Sequence, residues 1–400
     1  MDEKNGVVQA PPSILVLAAL STLAPLSLNI VVPSVPGISR YFSTDYATAQ
    51  LTVTVFIIAM AIGQLVIGTL SDAYGRRPAL LIGIGIYVVA SAICALAPTI
   101  EILIVARSLE AVGGVAGMVL ARAIIRDVYG RDRSASALGY VTMVMVVAPM
   151  LAPVVGGLLE DSIGWRAGFW LLTGVGAGLF LMVYVLIKET TKYELQQPNF
   201  SVLLGNFGKL LKVPTFLAFT CALSFASATF FTFVGAAPYV AIELMGNTPT
   251  EYGLAFIAIS LAFMSGNFIS ARLSMRLGTL PLVIFGSCAC LGGTMVMAAF
   301  VFFGELTTVT LFGSMMIVTF ANGILMPPAI ASAISVRPEI AGAASGLCGS
   351  IQFGVGGIAT YAVALRADGT AEPMVWQIIV VALISIIAAF AAQRVSRKVG

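Results

Sequence analysis

One arginine and one glutamate stand three residues apart within a long apolar stretch, at Arg107 and Glu110. Residues at that spacing are neighbours on one face of a helix. At a rise of about 1.5 Å per residue, Glu110 lies about 13 Å along the helix from Glu101, which we place at the external boundary. A charge near the middle of a membrane faces the protein interior or water and is a functional candidate. We therefore predict a proton-coupling site at Glu110 with Arg107; a static ion pair is the alternative.

Other side chains that transfer protons or bind metals are scarce. The sequence contains no histidine, the usual proton carrier near neutral pH, so carboxylates must carry any proton. All five cysteines fall within apolar runs, where they are expected to pack as small hydrophobic residues rather than form disulfides or a metal site. They are Cys94, Cys221, Cys288, Cys290 and Cys348. We expect no metal and no bound cofactor.

The composition is that of a membrane protein with many spans. Of its 400 residues, 59% are hydrophobic and 10% are charged, whereas about a quarter of the residues of a soluble domain are charged. The net charge of +3 is small, and the basic residues are spread over short loops, which excludes nucleic-acid binding. The sequence contains no nucleotide-binding loop, catalytic triad or channel filter. We therefore expect a transporter rather than an enzyme, driven by an ion gradient.

Twelve apolar stretches are long enough to cross a bilayer, which takes about 20 residues each. The fold class is accordingly an all-α polytopic membrane protein. We place the spans at residues 12–35, 48–70, 79–98, 101–125, 136–159, 166–187, 214–240, 252–271, 280–303, 307–331, 341–364 and 374–393.

The lysines and arginines of the loops test this count, because cytoplasmic loops carry an excess of positive charge. With both termini cytoplasmic, the external loops contain only Arg40, Arg166 and Arg366. The cytoplasmic segments contain sixteen basic residues: Lys4, Arg76, Arg77, Arg126, Arg131, Arg133, Lys188, Lys192, Lys209, Lys212, Arg272, Arg276, Arg337, Arg394, Arg397 and Lys398. One missed span would invert every later loop, so the asymmetry supports twelve spans with both termini cytoplasmic.

The longest hydrophilic connection, residues 188–213, divides the chain into halves. The pattern L-S-x-x-x-G follows the second span at residues 70–75 and the eighth span at residues 273–278. Duplicated halves of six spans are the plan of many secondary transporters, whose substrate site lies near the midplane between the halves. We predict a bundle of six helices over residues 1–187, a cytoplasmic loop over 188–213 and a second bundle over 214–400.

The turn after the second span reads GTLSDAYGRRP over residues 68–78. It resembles the G-x-L-x-D-x-x-G-R-R signature of the major facilitator superfamily. The resemblance implies twelve helices in two pseudo-symmetric bundles around a central cavity. It further implies a cytoplasmic latch that joins the halves in the outward-facing state, made by Gly68, Asp72, Gly75, Arg76, Arg77, Arg126 and Asp127. Positive-inside anchoring, the alternative, explains Arg76 and Arg77 but not Asp72.

The fifth span combines prolines with small residues, in the run GYVTMVMVVAPMLAPVVGG over residues 139–157. It resembles G-x8-G-x3-G-P-x2-G-G, the motif of the antiporter branch of the superfamily, with alanine in place of two glycines. Small residues let helices approach closely and prolines kink them, which predicts a hinge and a tight seam; static packing is the alternative. The motif residues are Gly139, Ala148, Pro149, Ala152, Pro153, Gly156 and Gly157.

The fourth span resembles the R-x-x-Q-G motif of proton-coupled drug exporters, with Glu110 for the glutamine and Ala111 for the glycine. Other runs resemble the Bcr/CflA drug-resistance branch, which includes bicyclomycin and chloramphenicol-type exporters. These are ARAIIRDVYGRDRSA, FVGAAPYVAIE, YGLAF and AGAASGLCGSIQFGVGG. That branch commonly carries an aspartate in the first span where this chain has Asn29. Asparagine cannot titrate, so the resemblance leaves Glu110 as the proton carrier.

Candidate cavity residues are the polar and aromatic side chains inside spans. Phenylalanines in the seventh span could line a pocket for an aromatic drug or simply pack, and Arg122 could border the cavity or extend to the headgroups. Uncharged polar residues within spans need hydrogen-bond partners, which a substrate or a neighbouring helix can supply. The candidates are Asn29, Arg122, Phe225, Phe230, Phe231, Asn267, Asn322 and Gln352.

These observations predict a drug exporter that exchanges protons for a small amphipathic compound by alternating access. We expect it to act as a monomer in the bacterial inner membrane, with substrate, protons and lipid as its partners. One alternative is an exporter or facilitator of metabolites such as sugars or amino acids. The other is a receptor or structural membrane protein of the same fold that moves no substrate.

Overall fold

The computed structural model describes residues 13–190 and 200–399, without the side chains at 126, 129–140, 142–144, 146, 148 and 397–399. Over these residues the chain is helical and contains no strand, which confirms the all-α fold class. The first half contains α1 Ile14–Val31, α2 Val35–Phe42, α3 Tyr46–Tyr74, α4 Arg76–Leu96, α5 Ile100–Ser162 and α6 Arg166–Leu186. The second half contains α7 Phe200–Leu211, α8 Pro214–Pro238, α9 Pro249–Leu277, α10 Thr279–Phe302, α11 Thr308–Ser335, α12 Ala341–Ala364 and α13 Glu372–Val399.

Helix α5 is the longest element and includes both the fourth and the fifth predicted spans. A Cβ atom on Gly117 would lie 2.3 Å from the carbonyl oxygen of Leu20, and one on Gly156 would lie 2.0 Å from that of Ile30. A straight helix would place Gly117 and Gly156 about 58 Å apart, yet their α1 partners are about 15 Å apart along that helix. The path of α5 therefore turns back on itself, with a first arm over residues 100–125 and a second arm over residues 149–162.

Eleven segments within the described residues are long and apolar enough to cross a membrane. They match the predicted spans other than the fifth, part of which lies among the side chains outside the described set. Helical structure is more extensive than the predicted spans: α1 continues through a short helical turn into α2, which ends at Phe42. The predicted loop at 188–213 contains α7, a helix of 12 residues. The boundaries of the two bundles stay a prediction.

The duplicated pattern L-S-x-x-x-G has the same backbone structure in both halves. Helix α3 continues to Tyr74, past the predicted end of the second span at residue 70, and Gly75 leaves the helical conformation, with φ of 95°. Helix α9 ends at Leu277, and Gly278 has φ of 80°. Positive φ strains residues that carry a Cβ atom, which explains why glycine occupies both positions. The amide of each glycine donates to the serine carbonyl four residues earlier, Ser71 or Ser274.

Hydrogen bonds from polar side chains determine where several helices begin. The Asp45 carboxylate accepts from the backbone amide of Thr48 at 2.9 Å and starts α3. The hydrogen bonds from Thr48 hold the pKa of the Asp45 carboxyl below its usual range. Thr248 and Glu251 form a reciprocal capping box at the start of α9. Both helix starts lie at the same end of the bundle as Phe42, and we call this end the far end. Gly75 and Gly278 lie at the opposite end, which we call the loop end.

Candidate functional site

A cavity of about 890 Å³ lies between the two halves and extends to the loop end. This volume is typical of a site for a small organic molecule. Asp72 borders the cavity at the loop end and keeps 64% of its side chain exposed, so the cavity meets solvent there. The side chains that line it include Pro25, Gln64, Asp72, Arg76, Met118, Arg122, Met145, Asn206, Phe207, Ser345, Cys348, Gln352 and Phe353.

At the far end the two halves are in contact. The Tyr46 hydroxyl donates to the carbonyl oxygen of Gly235 at 2.9 Å. The backbone amide of Thr250, at the start of α9, donates to the Asp161 carboxylate at 2.9 Å, an arrangement that the helix dipole favours. Arg40 of α2 also forms an ion pair with Glu243, which follows α8. This pair contributes little to the stability of the contact, because it is exposed and solvent screens its charges.

A close approach between the halves joins the second arm of α5 to α9. A Cβ atom added to Gly157 would lie 2.2 Å from the Pro249 carbonyl oxygen, and one added to Gly253 would lie 2.4 Å from that of Pro153. Real Cβ contacts of this length do not occur, so both positions require glycine while the helices are packed. This small-residue seam, formed by Pro153, Gly157, Pro249 and Gly253, closes the far end. The structure is therefore open at the loop end and closed at the far end.

The Glu110 carboxylate is completely buried and accepts hydrogen bonds from three helices. The hydroxyl of Ser27 on α1 donates to Oε1 at 2.7 Å, and that of Ser91 on α4 donates to the same oxygen at 2.9 Å. Arg107 Nη1 donates to Oε2 at 2.8 Å, and the Cys94 thiol lies 3.7 Å from that oxygen. These donors occupy both oxygens of the buried carboxylate.

Arg107 is equally buried and contacts two further helices, α3 and α6. Its Nε donates to the carbonyl oxygen of Thr52 at 3.0 Å. The guanidinium carbon lies 4.0 Å from the centre of the Phe56 ring and 5.6 Å from that of the Phe169 ring. Such cation–π contacts are more favourable when the cation is desolvated. Neither Arg107 nor Glu110 lines the cavity, so a proton that reaches Glu110 needs a path that this conformation keeps closed.

The comparison with known proteins decides the family. The model of the Major Facilitator Superfamily matches residues 17–360, a stretch that covers most of both halves. The chain belongs to the Major Facilitator Superfamily. Members of this superfamily are transporters rather than enzymes, and the chain is a multi-pass membrane protein.

Similar Major Facilitator proteins come from several bacteria. An uncharacterized MFS-type transporter of Bacillus subtilis, YdgK, is 31% identical over 94% of this chain and 93% of its own length. A bicyclomycin resistance protein homolog of Haemophilus influenzae is 28% identical and covers 94% of both chains. A chloramphenicol resistance protein of Pseudomonas aeruginosa is 29% identical over 91% of this chain and 86% of its own length. The resemblance to drug-resistance transporters is thereby confirmed.

Among solved structures, a D-xylose-proton symporter superposes with a TM-score of 0.77 and covers 95% of this chain and 96% of its own. Its sequence is 13% identical, so this likeness concerns the fold alone. It confirms the Major Facilitator fold that the turn at Gly75 and the duplicated halves predicted.

The predicted latch residues meet at the loop end within the first half. Arg76 pairs with Asp72, and its Nε donates to the Asp127 carboxylate at 3.0 Å. Glu189, which sequence reasoning missed, accepts from the backbone amides of Arg76 and Arg77 at 3.0 and 3.1 Å and so caps α4. Asp72, Arg76 and Asp127 belong to the first half and Glu189 to the loop that follows it, so these contacts do not join the halves in this conformation.

The other predicted latch residues are divided between described and undescribed positions. Arg77 Nε and Nη2 donate to the carbonyl oxygens of Ile187 and Tyr184, which anchors the end of α6. Gly68 lines the cavity, and a Cβ atom added to it would meet no atom within 4 Å. The side chain of Arg126 lies outside the described residues. In the antiporter motif, the same is true of positions 139 and 148.

Two of the eight predicted cavity residues, Arg122 and Gln352, line the cavity, and the other six lie elsewhere. The polar ones are engaged within the helices. Asn29 donates to the carbonyl oxygen of its own helix at Pro25, and Asn267 donates to Phe263 in the same way. The remaining candidates contact neighbouring residues. Asn322 donates a hydrogen bond to Thr229, and Phe231 packs on Gly356. Phe230 contacts the ring of Phe256, and Phe225 packs beside the cluster around Ala228. Their contact with substrate in another conformation stays a prediction.

Proposed function

We propose that this Major Facilitator protein exports small amphipathic drugs in exchange for protons by alternating access. The observation that supports it most is the pairing of a ligand-sized cavity, open at the loop end, with a far end closed by the small-residue seam. The names of the similar bicyclomycin and chloramphenicol resistance proteins support a drug as the exported compound. The protein acts as a monomer, and a proton gradient replaces any bound cofactor.

The orientation follows from the positive-inside rule. Arg76, Arg77, Arg272 and Arg276 lie at the loop end, which is then cytoplasmic, with both termini on the same side of the bacterial inner membrane. The conformation described here is therefore the inward-facing one, in which a drug enters the cavity from the cytoplasm or the inner leaflet. Export requires the small-residue seam to open while the loop end closes.

Glu110 carries the proton in this proposal. Among the described residues it is the carboxylate near the middle of a span, whereas the other carboxylates lie near the ends of the spans or outside them. Its protonation removes the charge that Arg107, Ser27 and Ser91 stabilise and turns one acceptor oxygen into a donor. Because these partners lie on α1, α4 and α5, protonation weakens the packing of three helices together. Proton binding is thereby coupled to a change in the shape of the first half.

The direct test uses inside-out membrane vesicles that contain the protein and an acidified lumen, with a fluorescent dye that reports the pH difference. We expect a compound from a panel of antibiotics and dyes to discharge the gradient, because each drug that enters releases protons. Vesicles without the protein are the control. If no antibiotic or dye discharges the gradient and a sugar or amino acid does, the protein is a metabolite exporter; if nothing does, it is a membrane protein of another function.

A further inference from the structure

We propose that Glu160 is a second proton-binding site of this protein and that proton binding there favours closure of the far end. The proton comes from the solution outside the far end and returns there when the far end opens. Glu160 therefore regulates closure without adding to the protons exchanged through Glu110. The assignment of the far end to the external side rests on the proposed export function, whereas the dependence of closure on pH does not.

Glu160 lies near the end of α5, one residue beyond the predicted fifth span. Its carboxyl packs against the backbone of α2. A Cβ atom on Gly37 would lie 2.0 Å from Glu160 Oε1 and 3.0 Å from the carboxyl carbon, so a side chain at residue 37 would displace the carboxyl. Glycine at this position thus leaves the space that the Glu160 carboxyl occupies between α2 and the second arm of α5.

This space suits the protonated carboxyl of Glu160 better than the carboxylate. Oε2 is buried and has no hydrogen-bond partner among the described residues. An anion that loses its hydration without gaining partners costs far more to bury than the neutral acid. Burial is the main cause that raises the pKa of the Glu160 carboxyl above its usual range. The closed far end therefore binds a proton at Glu160 more tightly than a hydrated carboxyl does.

The charged groups around Glu160 do not cancel the effect of burial. Asp161, the next residue of α5, adds a like charge and raises the pKa of Glu160 further, whereas Ser34 and Arg40 oppose the shift. Arg40 is exposed and already pairs with Glu243 at 3.8 Å. Because solvent screens its charge, Arg40 does not hold Glu160 in the ionised form.

Both helices that meet at Glu160 also contact the second half. On α5, Gly157 belongs to the small-residue seam, and Asp161 accepts from the Thr250 amide at 2.9 Å. The carboxylate in the first turn of α9, Glu251, caps its own helix. When Glu160 loses its proton, the anion is drawn toward water and away from α2. The two helices then move relative to each other, which loosens their contacts with the second half.

The direction of the pH dependence follows from these contacts. The closed form has the higher pKa at Glu160, and the open form, with a hydrated carboxyl, has the usual one. Acid protonates Glu160 in both forms, so the closed form then has its full advantage. This advantage is lost as the pH rises from the usual range of glutamate through the raised pKa. One proton changes the closed-to-open ratio at most about tenfold per pH unit.

The test measures the distance between spin labels at Leu96 and Val309, exposed residues of α4 and α11 at the far end. The protein lacks reactive cysteines, carries Glu110→Gln to remove the titration of Glu110, and is held in lipid nanodiscs without drug or gradient. From about pH 5 to about pH 8, the share of the short distance should fall. Glu160→Gln, which resembles the protonated carboxyl, should keep the short distance throughout. Glu101→Gln, at an exposed carboxylate of the same end, should match the parent protein.

Gly37→Ala should give the opposite result to Glu160→Gln, because its methyl group displaces the Glu160 carboxyl into water. The share of the short distance should be low at every pH, as it is in the parent protein at high pH. A contact that is only structural does not predict loss of the pH dependence with opposite populations in the two variants.

A short-distance share that is constant with pH in the parent protein, or that changes equally in Glu160→Gln, overturns the inference while the export function stands. If the distances behave as expected but no compound of the antibiotic and dye panel discharges the vesicle gradient, Glu160 controls closure and the export function fails. Glu160→Gln and its control Glu101→Gln decide the matter alone if Gly37→Ala does not fold.

Discussion

Gly253 of α9 lies against the Pro153 carbonyl of α5 so closely that a Cβ atom on the glycine would stand 2.4 Å from that oxygen. The two residues belong to different halves of the chain, and Gly157 with Pro249 repeats the relationship beside them. Backbone packs tightly against backbone here, and the ion pair between Arg40 and Glu243, which also joins the halves at this end, is exposed. The far end can therefore close firmly and still separate during transport.

The first prediction concerns this seam. Gly253→Ala should hold the far end open, because overpacking costs about 1–3 kcal/mol and so shifts a two-state equilibrium about five- to 150-fold. Spin labels at the exposed positions Tyr41 and Leu244, in a background without reactive cysteines, should report a longer distance, and export should fall. Gly168→Ala is the control, since its added methyl group has open space. An unchanged distance distribution in Gly253→Ala would show that the seam does not control the far end.

The second prediction separates the charge of Glu110 from its packing. Glu110→Gln keeps the shape of the side chain but cannot exchange a proton, so active efflux should be lost and any residual transport should no longer depend on pH. The protein should still reach the membrane. Ser91→Ala, which removes one hydrogen bond to the carboxylate at a cost of about 1 kcal/mol, should keep proton-coupled efflux. Efflux by Glu110→Gln with the pH dependence of the wild type would mean that Glu110 belongs to a static ion pair.

The third prediction concerns the stability of the buried pair. Arg107→Met leaves the Glu110 carboxylate buried beside its serines but without its cation, which should cost about 3–5 kcal/mol of unfolding free energy. The double variant with Glu110→Met removes both charges and should recover much of that loss. Thermal unfolding of the purified variants in detergent measures the difference. If the double variant is less stable than Arg107→Met, the unpaired Glu110 carboxylate is not what destabilises the single variant.

The fourth prediction compares the duplicated glycines. Gly75→Ala and Gly278→Ala introduce similar strain at positive φ, of about 1–3 kcal/mol. Only the first also brings a Cβ atom to 2.6 Å from the Glu189 carboxylate, which caps α4. Gly75→Ala should therefore be less stable by a further ~0.5–1 kcal/mol, read from thermal unfolding. Equal losses in the two variants would show that the cap contributes nothing.

Hydropathy and charge predicted most of the fold, because apolar length is set by the bilayer and arginines mark one side of it. The pattern L-S-x-x-x-G correctly indicated the duplication, since a helix that ends at positive φ requires glycine at Gly75 and Gly278 alike. The spacing of Arg107 and Glu110 predicted their contact, because neighbours on a helix face are determined by helix geometry alone. The continuation of α1 into α2 and the helix α7 were missed because helices can extend beyond the apolar core of a membrane.

The partners that come from distant parts of the chain could not be predicted in the same way. Ser27 lies 83 residues from Glu110, and serines inside apolar helices usually bond to their own backbone, as Ser21 does. Predicted cavity residues such as Asn29 and Asn267 were chosen by polarity, but a side chain that bonds to its own helix needs no substrate.

The most direct test of the account measures drug and proton fluxes together in proteoliposomes that contain only this protein. With the cytoplasmic side facing the bath and a more acidic lumen, we predict that chloramphenicol, or another compound of the panel, accumulates in the lumen above its bath concentration. The lumen should become more alkaline in proportion to the uptake, and Glu110→Gln should abolish both changes. Uptake that only equilibrates the drug and leaves the lumen pH unaltered would contradict proton-driven export.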